Sequence, residues 1–135
     1  MKNAILAIVG LLIGQSALAG DAGYFSRTCV SASQRTVLTQ LEDYTQKAPI
    51  YTLVLDGVPA VYDLSDAANV AEDTEAGFTL AHNGAEAFKF YYNGDSKKMD
   101  LTVLVDPRKG TIAEHDASPT PIKVSLKCTE YWPNP

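Results

Sequence analysis

The chain has only two cysteines, and the second of them closes a strictly alternating run. From Pro121 to Trp132 the sequence reads Pro-Ile-Lys-Val-Ser-Leu-Lys-Cys-Thr-Glu-Tyr-Trp. Ile122, Val124, Leu126 and Cys128 recur with a period of two, and Lys123, Ser125 and Lys127 fill the positions between. Side chains alternate across a strand, so one face is buried and the other is wet. A helix would scatter the four apolar positions around its axis. Cys128 shares the apolar face, which aims its sulfur at the core. Its one available partner is Cys29, near the other end of the chain. A disulfide between them staples the last strand to the first. Closing a loop of about 100 residues this way stabilises by about 4 to 5 kcal/mol in the chain-entropy description. A free thiol pair, an intermolecular bridge and a metal site are the competing readings. No histidine stands near either sulfur, which weakens the last of these.

A bridge requires an oxidising compartment, and the N-terminus supplies the route. Lys2 precedes an uncharged, largely apolar run from Ala4 to Ile13, and Ala17-Leu18-Ala19 offers small residues where a signal peptidase reads. Residues 1–19 therefore read as a secretory signal peptide and residues 20–135 as a single β-rich domain, exported to the periplasm or the exterior. The apolar run is too short for a stable membrane span. Removing 19 of 135 residues leaves 116, enough for one domain that buries about two thirds of its unfolded surface. The loss of Lys2 lowers the count of 11 basic residues by one against 16 acidic ones, a net charge of −6 with His neutral. That balance disfavours nucleic acid and anionic lipid, which need clustered Lys or Arg. The basic doublets Lys97-Lys98 and Arg108-Lys109 fall in turns and read as solvated residues.

The strands can be placed by their punctuation. Tyr24 to Val30 extends, with Phe25, Arg27 and Cys29 on one side. Arg35 to Lys47 fits a helix through Val37, Leu38, Leu41 and Tyr44, with Ser31 and Gln34 as a capping box. Its β-branched residues, Thr36, Val37, Thr39 and Thr45, favour a strand entered by a turn at Ser31–Gln34. Tyr51 to Leu55 and Val58 to Tyr62 flank Asp56-Gly57, a two-residue hairpin signal in which both central positions need positive φ. That register sets Leu55 opposite Val58, Leu53 opposite Ala60 and Tyr51 opposite Tyr62. Pro59 then falls opposite Val54, and since proline cannot donate to a ladder, either this segment lies at a sheet edge or pairing breaks at Pro59. The acidic, alanine-rich stretch from Leu64 to Gly77 reads as a solvated loop or as a short helix over 65–71 capped by Ser65. Phe78 to Ala81, Phe88 to Tyr92 and Met99 to Val105 are further strands, with turns at Asn83-Gly84, Asn93 to Lys98 and Asp106 to Gly110. Thr111 to His115 can return as a short strand before an extended linker.

These elements specify an all-β domain with room for one short helix, either a small antiparallel β-sandwich or a closed β-barrel. No motif selects an activity. Glu114, His115 and Asp116, with His82 as a remote partner, suggest a metal or acid-base site only weakly, because neighbours on a strand face opposite sides. There is no nucleophile elbow, and a bridged cysteine is no nucleophile. No cofactor and no catalytic residue is therefore assigned. Tyr91, Tyr131 and Trp132 stand apart as aromatics on an outer face or beyond the staple, placed to meet a protein or glycan partner. The expectation is a non-catalytic binding module or inhibitor. A secreted hydrolase using a carboxylate and His pair, and a structural envelope subunit, are the alternatives. N-terminal sequencing of the exported protein should find Gly20 as its first residue; retention of Met1 would refute the signal.

Overall fold

The computed structural model describes residues 24–43, 48–109 and 121–132. The signal peptide, the return strand over 111–115 and the Glu114-His115-Asp116 cluster lie outside the described residues. Nine strands follow one another, with no helix among the described residues: β1 (Tyr24–Ser31), β2 (Thr36–Asp43), β3 (Ile50–Leu55), β4 (Val58–Asp63), β5 (Asn69–Thr74), β6 (Gly77–His82), β7 (Ala85–Asn93), β8 (Lys98–Val103) and β9 (Ile122–Tyr131). They form one sheet in the order β4-β3-β2-β1-β9-β8-β7-β6-β5, antiparallel at every pairing. The sheet curls into a nearly closed barrel. Its interior brings rings of opposite walls together, with Tyr51 4.9 Å from Phe78 and Tyr62 edge-on to Phe88 at 5.5 Å between centroids.

The chain therefore forms two meanders, β1 to β4 and β5 to β9. They are joined by the connection over 64–68 and, on the opposite wall, by the ladder between the first and last strands. Cys29 pairs directly with Cys128 in that ladder, and their sulfurs are bonded. The Cys128 amide donates to the Lys97 carbonyl on the β8 side at 2.8 Å, so it points away from β1. The two cysteines thus face each other at a non-hydrogen-bonded position, where opposed side chains come closest. Both are buried among Leu38, Leu53, Leu101 and Leu126.

The hairpin expectations hold. β3 and β4 pair Leu55 with Val58, Leu53 with Ala60, Tyr51 with Tyr62 and Val54 with Pro59. Asp56 and Gly57 adopt φ of 50° and 84°, and Asn83 and Gly84 adopt 52° and 83°, the conformation that two-residue turns require. β4 is an edge strand, one of the two arrangements that Pro59 allows. The stretch over 35–47 is a strand through its described part, and the Ser31–Gln34 segment is a turn, closed by the Gln34 amide on the Ser31 carbonyl at 2.9 Å. There the Ser31 hydroxyl, read as a cap, instead accepts from the Thr36 amide at 3.1 Å.

The short helix over 65–71 is not formed, nor is the whole stretch a loop. The Asp63 and Asp66 carboxylates accept from the amides of Ser65 and Ala68, each at 2.9 Å, and bend the backbone into two turns. Such local bonds compete with a helix. Asn69 to Thr74 then pair with β6 as the second edge strand, β5. Its side chains beyond Asn69 are exposed, so the acids and alanines that suggested a loop mark a sheet edge instead. Gly77, opening β6, has φ of 134°, and a Cβ there would stand 2.7 Å from the Phe90 carbonyl oxygen.

A Cys29→Ser, Cys128→Ser double variant should retain the sheet and lose about 4 kcal/mol of unfolding free energy. Urea denaturation followed by circular dichroism measures both.

Candidate binding site

The strand ends that bring Cys29 and Cys128 together also define the open end of the barrel. Two residue pairs beyond the disulfide, Arg27 of β1 lies opposite Gln40 of β2 and Glu130 of β9. All three share the inward face with the cysteines, because they stand two positions from Cys29, Leu38 and Cys128. The Arg27 guanidinium donates from Nε and Nη2 to Glu130 Oε2 at 3.2 and 3.0 Å, and from Nη1 to Gln40 Oε1 at 3.0 Å. Its plane lies over the Tyr92 ring, 4.0 Å from the centroid. Tyr92 donates its hydroxyl to Glu130 Oε2 at 2.9 Å, and Lys97 reaches Glu130 Oε1 at 3.1 Å. Gln40 passes the network on by donating to Glu42 at 2.6 Å.

Glu130 is the hub. Burial raises its carboxyl pKa, but hydrogen bonds from Lys97, Tyr92 and Arg27 outweigh that and hold it at about 2. The Tyr92 phenol is pushed up by burial and by its bond to Glu130. The Lys97 ammonium is pushed up by the same carboxylate. Lys97 is the exposed turn residue expected, and it also joins the network through Glu130. Arg108, from the other basic doublet, is likewise committed: it pairs with Asp106 at 2.7 Å and with Asp56 at the β3–β4 turn.

Above this network opens a cavity of about 410 Å³. Arg27, Gln40, Glu42 and Tyr51 line one side, and Asp73, Phe78, Phe90 and Tyr92 line the other. Phe25, Tyr91 and Trp132 add to the lining, and Trp132 rests on Phe25 with ring centroids 4.2 Å apart. Burial, the Glu42 carboxylate and, to a lesser degree, that of Asp73 push the Tyr51 phenol well above its usual range, with Arg27 opposing them.

The three aromatics expected to meet a partner are all exposed: Trp132 by 60%, Tyr91 by 52% and Tyr131 by 36%. The structure brings two of them to the same cavity and separates the third. Tyr131 alternates with Glu130 and Trp132, so it stands on the outer face, against Tyr24 at 5.5 Å. Tyr91 also borders a second, outer groove of about 360 Å³ with Lys89, Asp100 and Thr102. His82 does not line the cavity. Asn69 donates its amide to the Asp63 carbonyl at 2.9 Å, so its own carbonyl oxygen faces His82 Nδ1 at 2.7 Å. That arrangement places the imidazole hydrogen on Nδ1 and spends it on holding β5 to β6. No group of three or more potential metal ligands occurs among the described residues. No described helix is long and apolar enough to cross a membrane.

Comparison with known proteins brings no match: no family model, no curated protein and no solved structure resembles the chain.

Replacing Glu130 by Gln should cost about 2 kcal/mol, the scale of hydrogen bonds to a charged group. In the native protein this contribution is complete above the ordinary glutamate value of 4.5 and disappears as pH falls toward about 2. Thermal melts of both proteins from pH 7 to pH 2 should therefore converge at the acid end.

Proposed function

We propose that the chain is an exported, non-catalytic binding module that engages a protein or glycan partner through the aromatic open end of its barrel, as an inhibitor or a recognition domain. The observation that carries this reading is Trp132. A large ring left 60% exposed, yet packed at a tilt against Phe25 at the lip of a cavity, is a ready contact surface. Rigid aromatic anchors beside a concavity are the usual source of binding energy at interfaces, because little side-chain freedom remains to be lost. The disulfide suits an oxidising compartment, either the periplasm or the exterior.

A structural subunit joined by strand addition has one observation in its favour. Among the described residues, β4 and β5 end the sheet without a neighbouring strand on their outer sides. Pro59 and the acids of β5 oppose such pairing, since both are devices that blunt an edge. The hydrolase alternative would have to use groups other than His82, which Asn69 holds and which does not line the cavity, while Glu114, His115 and Asp116 lie outside the described residues.

Trp132 is the single tryptophan of the chain, so its fluorescence reports on this site alone. The mature protein should capture a partner from culture medium or envelope extract, or bind members of a glycan array, with a change in Trp132 emission. A Trp132→Ala variant should keep its melting temperature within about 2 °C and lose at least about tenfold in affinity, or 1.4 kcal/mol. Undiminished binding by the variant would rule out this end of the barrel.

A further inference from the structure

The cavity contains an unmet polar requirement. Tyr51 is only 4% exposed and lines the cavity, yet its hydroxyl makes no hydrogen bond among the described residues. A buried phenol usually finds a partner, and leaving one unpaired costs about 1–3 kcal/mol. Two carboxylates line the same space. Glu42 accepts from the Gln40 amide and has no cationic partner among the described residues, and the exposed Asp73 carboxylate makes no hydrogen bond or ion pair among them. Arg27 is the one Lys or Arg in the lining among the described residues, and three of its nitrogens are taken by Glu130 and Gln40 while Tyr92 covers a face. An anion entering the cavity would find that guanidinium already engaged. Counting Glu130 and Lys97 with the lining, the three carboxylates of Glu42, Asp73 and Glu130 stand against the two cations Arg27 and Lys97, which leaves the space net negative among the described residues, and its walls are aromatic.

We infer that the cavity is a seat for a small arylalkyl ammonium, with its cationic head between Glu42 and Asp73 beside the Tyr51 hydroxyl and its apolar body on Phe25, Phe78 and Trp132. An ammonium has three hydrogens to donate and needs acceptors when desolvated; two carboxylates and a phenolic oxygen supply them. Ring faces add cation–π attraction, which the cavity already gives Arg27 at 4.0 Å from Tyr92. A neutral ligand of the same shape would satisfy the rings and leave both carboxylates unpaired. This inference rests on the binding-module reading and narrows it to one ligand class.

The test uses phenethylamine, with 2-phenylethanol and phenylacetate as neutral and anionic counterparts, titrated against the mature oxidised protein at pH 7. Trp132 fluorescence and calorimetry give the affinities. The amine should bind at least about tenfold more tightly than the alcohol, and phenylacetate should give no saturable response. Glu42→Gln and Asp73→Asn should each weaken the amine by about tenfold and leave the alcohol unchanged, with melting temperatures confirming that both variants fold. Tyr51→Phe should weaken the amine as well. Equal affinity for amine and alcohol, or an amine affinity untouched by both carboxylate variants, would overturn the inference. If the amine fails while a glycan or protein is still captured in a Trp132-dependent way, this ligand class falls and the binding-module reading stands.

Discussion

The pairing of the first strand with the last holds the rest of this structure together. Without the β1–β9 ladder the chain is two meanders, each with an exposed inner face and two raw edges. With it, the apolar faces of both curl around one interior. Such a contact is costly to form, because its partners lie almost a whole chain apart and loop closure must precede any gain. The disulfide at Cys29 and Cys128 removes much of that cost by tying the same two strands covalently. Its position also explains what lies on either side of it. Toward the centre, Leu38, Leu53, Leu101 and Leu126 pack a dry core around the sulfurs. Two residue pairs outward the lining turns polar, and the Arg27–Glu130 network begins.

That polar layer is a floor rather than a defect. A small barrel with side chains filling its whole length would present no concavity. Here Arg27 is held from below by Glu130 and from the sides by Gln40 and the ring of Tyr92. A charged group at this depth is tolerable only when its donors are spent, and nearly all of this one's geometry is fixed by partners. Glu130 is balanced in the same way by Lys97, Arg27 and Tyr92. The result is a polar base beneath walls of buried rings, with Tyr91 and Trp132 open to solvent at the lip.

Much of this plan was legible in the residues. The period of two in β9 sets Cys128 inward, and Asp56-Gly57 fixes a register that the structure reproduces pair for pair. Local rules act there, between neighbours in sequence. The same alternation already separates Tyr131 from Trp132, a consequence that a list of exposed aromatics obscures. The edge strand β5 was hidden because an edge exposed on most of its side chains needs no apolar pattern, and Asp and Ala resemble loop or helix there. The polar layer was hidden for a different reason. Arg27 and Glu130 are 103 positions apart, and nothing in either neighbourhood announces the other. A signal did exist: each stands two places from a cysteine, so an accepted disulfide places them face to face.

Nine strands alternating in direction around a ring leave its two end strands, β4 and β5, running the same way. Everywhere else the neighbours are antiparallel, and the connection over 64–68 spans this one mismatch. Ser26 at the start of β1 and Tyr131 at the end of β9 are ladder partners, so the outer limits of the described barrel already touch. Linking Trp132 to Tyr24 through a tight turn and cutting within 64–68 would yield a circular permutant in which every paired strand follows its neighbour in sequence. The ring order is that of a single uninterrupted ribbon, with the first and last strands at its middle and the mismatch at its rim.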